Sequence, residues 1–436
     1  MRKQIPEVSR PYFYMASFKI LVGNRKLNQN NCMKSFIAYV AGILIFLSNA
    51  GFVRNSNFNL TGIWRGVFSS NNYKIPFNFQ IKADGTVYFL NAEEKFPSGK
   101  AKIIGDSLFI PLDPFDNELA FSIRGNSLQG ILRKQDGSGS PIPVEAEKGK
   151  KIRFENIAGT VNSNITGTYD ITFKSTVGAD EKAVGLFIQN GNQLRATFLR
   201  VTGDSRYLEG VVSGNEFYLS SFIGSSPVYY HGVVSSDHKL SGESVFARGT
   251  QSFLGDPNEE ATLPDAFGLT YLKEGYHSLS FSFPDVNGKL ISLSDDKYKN
   301  KVVIITITGS WCPNCIDEAS FLAPWYIKNK SRGVEAIAIH YERKTDSAFT
   351  AKAISRFRKK YDIRYDQVIG GLADKQKVAS SLPALNTFLA FPTTIFIDKK
   401  GNVAKIHTGY SGPATGKHYQ EFQKEFNETV DSLLQQ

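Results

Sequence analysis

Cysteine is scarce in this chain of 436 residues, which contains only Cys32, Cys312 and Cys315. A zinc site needs a second ligand pair, and the six histidines show no ligand spacing, so no metal is expected. The chain also lacks a cluster of Lys and Arg interleaved with aromatic residues, which argues against nucleic-acid binding. No nicotinamide or flavin fingerprint is present either, so no bound cofactor is expected.

Long hydrophobic runs are also missing near the N-terminus. The uncharged run from Phe36 to Leu47 has twelve residues, well short of the roughly 20 that span a bilayer. Small residues follow at Ser48-Asn49-Ala50, the pattern of a signal-peptidase site. Residues 1–52 are therefore predicted to be an N-terminal extension and signal peptide with its h-region at 36–47. A retained membrane anchor is the less favoured alternative, and a start at Met33 is a further hypothesis.

Export would place the protein in the periplasm or cell envelope. Cleavage would remove Cys32, leaving Cys312 and Cys315 without a structural disulfide to compete with them. Residues 1–50 hold seven Lys or Arg and one acidic residue, so they supply +6 of the formal +10 charge. The remaining chain is only mildly basic.

The most informative motif is Trp-Cys-Pro-Asn-Cys at 311–315, which follows an apolar run at 302–308 and precedes a predicted helix. A sulfur at a helix N-terminus is stabilised as the anion that attacks a disulfide, so Cys312 is the candidate nucleophile and is expected to be exposed. Cys315, one helical turn later, is the candidate resolving thiol. A buried structural pair would need neither the preceding aromatic residue nor the strand.

Several separate segments of the C-terminal part carry a family resemblance. Ser-Phe-Pro-Asp-x-x-Gly-Lys at 282–289, the strand and the cysteine motif, and Phe-Pro-Thr-Thr-Ile-Phe-Ile-Asp at 391–398 occur in order. Together they resemble the TlpA/ResA-type branch of thioredoxin-fold proteins. The resemblance covers about 158 residues from Leu279 to the C-terminus. It implies an α/β thioredoxin-fold domain, assigned to residues 273–436, that acts as a thiol–disulfide oxidoreductase.

The resemblance also implies roles for residues around the cysteines. Pro392 is expected to be cis and to face them, which leaves the backbone of Phe391 free to pair with a substrate segment. Trp311, Pro313 and Phe391 are accordingly the candidate substrate-binding residues. The alternative for Pro392 is a trans proline that starts an edge strand.

Glu318 completes a Cys-x-x-Cys-x-x-Glu run at the place where this branch keeps an acidic residue. Where thioredoxins proper hold a buried aspartate, this chain has Thr306, which cannot take a proton. Glu318 is therefore a candidate to take the proton of the resolving thiol. A solvated glutamate in the first helical turn is the open alternative.

The dipeptide Pro313-Asn314 lacks the histidine that raises the potential of strongly oxidising relatives, which favours a reductase. The resemblance then implies exported disulfide-bearing proteins as substrates and a membrane thiol transporter as electron donor. Two alternatives stay open. A peroxiredoxin needs a threonine three residues before its cysteine, where this chain has Gly309. A non-enzymatic envelope binding protein would carry the cysteine pair as a vestige.

Residues from Asn59 to about Thr250 read as strands throughout, and the pattern repeats. Leu-Thr-Gly-Ile-Trp at 60–64 is echoed by Ile-Thr-Gly-Thr-Tyr at 165–169, and later matches keep offsets between 105 and 112. Asp84-Gly85 and Asn190-Gly191 mark matched hairpin turns.

The predicted fold class is therefore multidomain, with two β-rich meander or barrel-like units before the thioredoxin-fold domain. The predicted ranges are 56–158 for the first β unit, 159–250 for the second, 251–272 for a linker and 273–436 for the last domain. The β units are expected to bind a partner, position the redox domain or mediate dimerisation. An inert spacer is the alternative.

Overall fold

The computed structural model describes residues 58–155, 157, 159–246 and 249–436. The predicted signal peptide, residues 1–52, lies outside the described residues. In the part that is described, no helix has the length and apolar character needed to cross a membrane.

The first β unit is a nine-stranded antiparallel sheet in the order β4-β3-β2-β1-β9-β8-β7-β6-β5. Its strands alternate buried and exposed residues, as in Asn117–Arg124, because one face packs on a core rich in phenylalanine. Trp64 at the centre of this core is fully buried. The strands are β1 Gly62–Ser70, β2 Tyr73–Ile81, β3 Thr86–Asn91, β4 Glu94–Lys100, β5 Lys102–Ile104, β6 Ser107–Leu112, β7 Asn117–Arg124, β8 Ser127–Lys134 and β9 Ile142–Lys148.

The second β unit is a closed barrel. Its sheet runs β11-β10-β18-β17-β16-β15-β14-β12-β13, and β11 also pairs with β12, which joins the two sides. Because the strands close into a barrel, no strand of the closed ring has an unpaired edge. The interior of the barrel is filled by residues such as Phe198, Tyr230 and Phe253. The strands are β10 Gly167–Phe173, β11 Glu181–Asn190, β12 Gln193–Arg200, β13 Gly203–Asp204, β14 Leu208–Ser213, β15 Glu216–Ser221, β16 Val228–Val234, β17 Leu240–Phe246 and β18 Gly249–Pro257.

Both units share one strand arrangement, in which the first strand pairs with the second and with the last. The two matched turns are also equivalent, since Gly85 and Gly191 adopt positive φ values of 81° and 60° between paired strands. The prediction of two barrel-like β units is therefore confirmed, although only the second closes completely.

One predicted boundary is wrong. The Gly, Pro and Asp residues at 251–257 predict part of a linker, but Gly249–Pro257 is the strand that closes the second barrel. It pairs with β10 on one side and with β17 on the other, and this pairing overrides the local turn signals. The division of the chain into three domains otherwise stays a prediction.

The C-terminal part has a five-stranded sheet in the order β23-β22-β21-β24-β25, preceded by the hairpin β19–β20. Strands β21, β22 and β23 are parallel, and β24 and β25 run antiparallel to them. The strands are β19 Ser282–Pro284, β20 Leu290–Ser292, β21 Val302–Thr308, β22 Val334–Glu342, β23 Asp366–Leu372, β24 Thr393–Ile397 and β25 Val403–Thr408. The helices are α1 Pro313–Asn329, α2 Ser347–Tyr361, α3 Lys375–Ser381 and α4 Lys417–Gln435.

Helices cover both faces of this sheet, so β21 is buried along its whole length. Val302 and Ile304 lie in the core with α1 and α4, whereas Val303, Ile305 and Ile307 pack with α3 and the β19–β20 hairpin. This two-sided burial explains why β21 reads as an unbroken apolar run. The thioredoxin fold expected for the C-terminal part is thus present, and β21 delivers the chain into the cysteine motif.

Candidate active site at the Cys312–Cys315 pair

Cys312 lies between the end of β21 and the start of α1. It is the N-cap residue of that helix, and its Sγ accepts a hydrogen bond from the backbone N–H of Cys315 at 3.3 Å. Pro313 occupies the first helical position, where its missing N–H costs nothing. Both cysteines are free thiols. The helix terminus therefore points its unsatisfied N–H groups at the first sulfur, as the motif predicted.

The expected exposure of Cys312 is wrong, because only 4% of the residue is accessible to solvent. Cys315 is completely buried. Burial, the hydrogen bond and charge of Cys312, and the charge of Glu318 together raise the pKa of Cys315 well above its usual value. Cys315 therefore holds its proton at neutral pH unless a neighbouring group accepts it.

The proline segment lies beside the cysteines. The Phe391–Pro392 peptide bond is cis, as expected, and the Cys312 thiol donates to the carbonyl oxygen of Phe391 at 3.4 Å. The rings of Trp311 and Phe391 meet edge to face with centroids 5.3 Å apart. Trp311 is also held by a hydrogen bond from Nε1 to the carbonyl oxygen of Tyr341 at 2.9 Å. The structure thus brings together four of the predicted site residues.

Glu318 is not the solvated glutamate of the alternative interpretation, because it is only 4% exposed. The hydroxyl of Thr394, on β24, donates a hydrogen bond to its Oε1. Burial raises the pKa of Glu318 to about 8, although the Thr394 hydrogen bond acts in the opposite direction. A carboxyl group with a pKa near the working pH can both accept and return a proton.

Sequence reasoning missed a second buried carboxylate near the motif. Glu342, at the end of β22, accepts hydrogen bonds from the backbone N–H and the hydroxyl of Ser310 at 2.9 and 2.8 Å. Nδ1 of the fully buried His340 lies 3.4 Å from Glu342. These contacts fix the residue that precedes Trp311. Polar residues at the carboxyl end of a buried parallel strand are a sequence signal that could have identified His340 and Glu342.

Sequence reasoning also missed the residues that the β units bring to the site. Arg206, which follows β13 of the second barrel, donates to the carbonyl oxygen of Pro313 at 3.0 Å. It forms ion pairs with Asp317 on α1 and with Glu94 of the first β unit. Burial raises the pKa of Asp317 to about 7, and the Arg206 guanidinium opposes that rise. No local pattern marks Arg206, which is 107 positions from Pro313.

Comparison with known proteins places the C-terminal part in a family. The family model described as AhpC/TSA matches residues 275–406. Thiol-disulfide oxidoreductase ResA of Bacillus subtilis (strain 168) is 33% identical over 143 residues, which are 33% of this chain and 71% of that protein. The chain belongs to the ResA family of thiol–disulfide oxidoreductases. The ResA protein of Bacillus thuringiensis subsp. konkukian (strain 97-27) is 30% identical over 150 residues, which are 34% of this chain and 76% of that protein.

A solved structure of a thioredoxin-family thiol:disulfide interchange protein from Chlorobium tepidum TLS is 21% identical to this chain. It covers 36% of this chain and 95% of its own, with a TM-score of 0.28. The ResA relatives and the AhpC/TSA match confirm the resemblance to the TlpA/ResA-type branch for the C-terminal part. The ResA protein of Bacillus subtilis is about 200 residues long, since 143 residues make up 71% of it. Similarity to ResA therefore accounts for the redox part and leaves the two β units without a counterpart.

The described residues contain no group of three or more His, Cys, Asp or Glu side chains placed to hold a metal ion. The site brings together two thiols, the buried carboxyl groups of Glu318 and Glu342, and the backbone of the cis-proline segment.

Proposed function

We propose that this protein reduces disulfide bonds of exported proteins in the cell envelope, through the dithiol of Cys312 and Cys315. The observation that carries the proposal is the free thiol pair at the N-terminus of α1, beside the cis Phe391–Pro392 bond. Membership of the ResA family supports the same chemistry.

In the first step the Cys312 thiolate attacks one sulfur of the client disulfide. A mixed disulfide forms between Cys312 and that sulfur, and the other client sulfur leaves as a thiolate and takes up a proton. The backbone of Phe391 and the faces of Trp311 and Pro313 lie around Cys312, so they are the groups that a client segment would contact. The Phe391 carbonyl oxygen accepts a hydrogen bond from the Cys312 thiol, and it becomes available to a client segment once Cys312 is a thiolate and no longer donates to it.

In the second step the Cys315 sulfur attacks Cys312, which forms the Cys312–Cys315 disulfide and releases the second client sulfur reduced. Cys315 must first lose its proton, which its raised pKa opposes. We assign the acceptor role to Glu318, since its buried carboxyl group adds to the electrostatic field at Cys315 and its own pKa is raised to about 8. Glu318 can accept the Cys315 proton in its ionised form, whose population increases as the pH approaches about 8.

The proposed direction is reduction, because the dipeptide between the cysteines is Pro313-Asn314 and contains no histidine. Each turnover leaves the pair oxidised, so a reductant must restore it. We propose a thiol protein of the membrane as that electron donor, consistent with the predicted signal peptide. N-terminal sequencing of the protein recovered from cells, with fractionation of the envelope, tests the predicted export.

The test of the activity is reduction of insulin disulfides by the full chain, with peroxide consumption measured in parallel. Insulin reduction that Cys312→Ser abolishes is the expected result. Peroxide consumption without insulin reduction would indicate the peroxiredoxin alternative. A peroxiredoxin needs a threonine at the position that Gly309 occupies in this chain. The neighbouring Thr308 hydroxyl forms a hydrogen bond with Cys315. Inactivity in both assays would indicate a binding protein with a vestigial cysteine pair.

A further inference from the structure

A hairpin of the second barrel lies against the Pro313-Asn314 dipeptide that separates the two cysteines. Leu199 and Arg200 at the end of β12 pair with Asp204 and Gly203 of β13, and the chain continues to Arg206. We call residues 199–206 the covering hairpin. It belongs to a part of the chain for which the ResA relatives have no counterpart, and it lies beside a nucleophile that is only 4% exposed.

One side of the covering hairpin holds the dipeptide between the two cysteines. The Arg206 guanidinium donates to the Pro313 carbonyl oxygen at 3.0 Å, and Asn314 Nδ2 donates to the Asp204 carbonyl oxygen at 3.2 Å. Gly203 packs so closely that a Cβ there would lie 2.8 Å from the Asn314 side chain. The hairpin therefore occupies the space directly above the first turn of α1.

Its other side reaches the loop that follows β25. The backbone N–H of Gly412 donates to the Asp204 carboxylate, and a Cβ on Gly409 would lie 2.6 Å from the Val201 carbonyl oxygen. Gly409 in turn donates its N–H to the carbonyl oxygen of Pro392 at 2.9 Å. The hairpin thus bridges the start of α1 and the loop that is bonded to the cis-proline segment.

Buried charges hold this arrangement. Arg206 pairs with Asp317 of α1 and with Glu94 of the first β unit, and the three side chains are 9%, 11% and 9% exposed. One guanidinium therefore ties both β units to the helix that carries the cysteines. Because ion pairs shielded from water are little weakened by salt, the hairpin is expected to stay in place at physiological ionic strength.

Two clefts lie at the residues that precede and follow Cys312. One, of about 410 Å³, lies between the first β unit and Trp311. The other, of about 300 Å³, lies between the second barrel and the Pro313-Asn314 dipeptide. Ser225 and Ser226 line both clefts, so the same loop forms a wall of each. Clefts of this size have room for a short stretch of extended chain, whereas the convex surface of a folded domain would collide with the walls.

We propose that the covering hairpin restricts the substrates of Cys312 to disulfides carried on extended, flexible polypeptide segments. Disulfides on the surface of folded domains are excluded, because the hairpin and the first β unit stand in the way. This inference rests on the proposed reductase function and specifies the substrate class of the same site.

The test uses one carrier protein with a single cysteine that forms a mixed disulfide with glutathione. The cysteine is placed either on a disordered tail or on the rigid surface of the carrier, and oxidised glutathione serves as a small substrate. The reduced full chain is expected to act on the tail and on oxidised glutathione, and to act at least about tenfold more slowly on the folded surface. Equal rates on tail and surface would overturn the inference. Inactivity on all three substrates would instead reject the proposed reductase function.

Arg206→Gln removes both ion pairs and should raise the ratio of the rate on the folded surface to the rate on the disordered tail several-fold. Arg332→Gln is the matched control, because it breaks an exposed pair with Asp431 at the opposite end of α1 and should leave the selectivity unchanged. If Arg206→Gln does not fold, Glu94→Gln removes one of the pairs and should give a smaller change in the same direction. Selectivity that persists unchanged in the folded variant would contradict the role of the hairpin.

Discussion

The hydroxyl of Thr394 donates a hydrogen bond to Oε1 of Glu318, and this contact holds a carboxyl group inside the protein near the two cysteines. Thr394 lies directly opposite Thr306 in the β21–β24 register. Thr306 occupies the position where thioredoxins proper hold their buried aspartate. In this protein the buried acidic group is instead Glu318 of α1, and its hydrogen-bond partner is Thr394 of the neighbouring strand β24.

Replacement of Glu318 by glutamine should slow the second step of exchange. The expected loss is about 100-fold at neutral pH, the usual scale for removing a general base. The rate in the unmodified protein should rise as the pH approaches about 8 and Glu318 loses its proton, and Glu318→Gln should lack this rise. Single-turnover release of glutathione from a Cys312 mixed disulfide measures the step. Glu428→Gln, an exposed change on α4, is the control, and an unchanged pH profile in Glu318→Gln would reject the role.

Glu318 should also make the reduced protein less stable as the pH rises. Its pKa is about 8 in the fold but near 4.5 in an unfolded chain, so between these values the folded state binds one more proton. Its contribution to the free energy of unfolding is therefore fully present below pH 4.5 and is lost as the pH rises to 8, by at most about 1.4 kcal/mol per pH unit.

Urea unfolding at several pH values, followed by tryptophan fluorescence, measures this effect. Other titrating groups contribute to both curves, so the informative quantity is the stability of Glu318→Gln minus that of the unmodified protein. This difference should increase from pH 5 to pH 8 and then level off. A difference that is constant with pH would mean that Glu318 titrates alike in both states.

The Cys315→Ser variant should accumulate mixed disulfides with its clients through Cys312. The serine keeps the size of the side chain but cannot attack the mixed disulfide, so the second step stops. Non-reducing gels of envelope fractions, followed by mass spectrometry, would identify the trapped proteins. Cys312→Ser is the control and should trap nothing. Adducts that appear equally in both variants would show that the captured proteins do not react at Cys312.

Phe426 should be a main stabilising residue of the C-terminal part. Its ring on α4 meets Phe321, Trp325 and Phe396 with centroids 5.0 to 5.2 Å apart, and the residue is 2% exposed. Phe426→Ala should lower the free energy of unfolding by about 3–5 kcal/mol, because it removes these contacts and leaves a cavity. The free energy of unfolding of the variant, measured by urea denaturation, tests this prediction. Glu428→Ala on the exposed side of α4 should change stability by less than about 0.5 kcal/mol.

Local motifs were enough to predict the centre of the site. Cys312 and Cys315 could be located because a buried strand that leads into a helix has a recognisable sequence, whereas the cis Pro392 was implied by the resemblance to the TlpA/ResA-type branch. The two β units were predictable for a related reason, since their turns and alternating strands repeat at a nearly constant offset.

Tertiary packing decided what could not be predicted. Glu318 in the first turns of a helix looks the same in sequence whether it is solvated or buried, and only the packing of Thr394 against it settles the question. The contacts of the Pro313-Asn314 dipeptide with Arg206 and Asp204 could not be predicted either, because these are two ordinary charged residues more than a hundred positions away. In the same way, Gly249–Pro257 has turn-forming residues and is a strand only because β10 and β17 flank it.

The pairing of β10 with β18 has a consequence for biogenesis. The first strand of the second barrel, β10, pairs with the last strand, β18, so the barrel can close only after residue 257 has been synthesised. That point precedes Cys312 in the chain, and domains generally fold as units starting with the N-terminal one during synthesis. The barrel that carries the covering hairpin therefore has all its strands before Cys312 and α1 are synthesised, so the helix of the redox pair can dock onto a surface that is already formed.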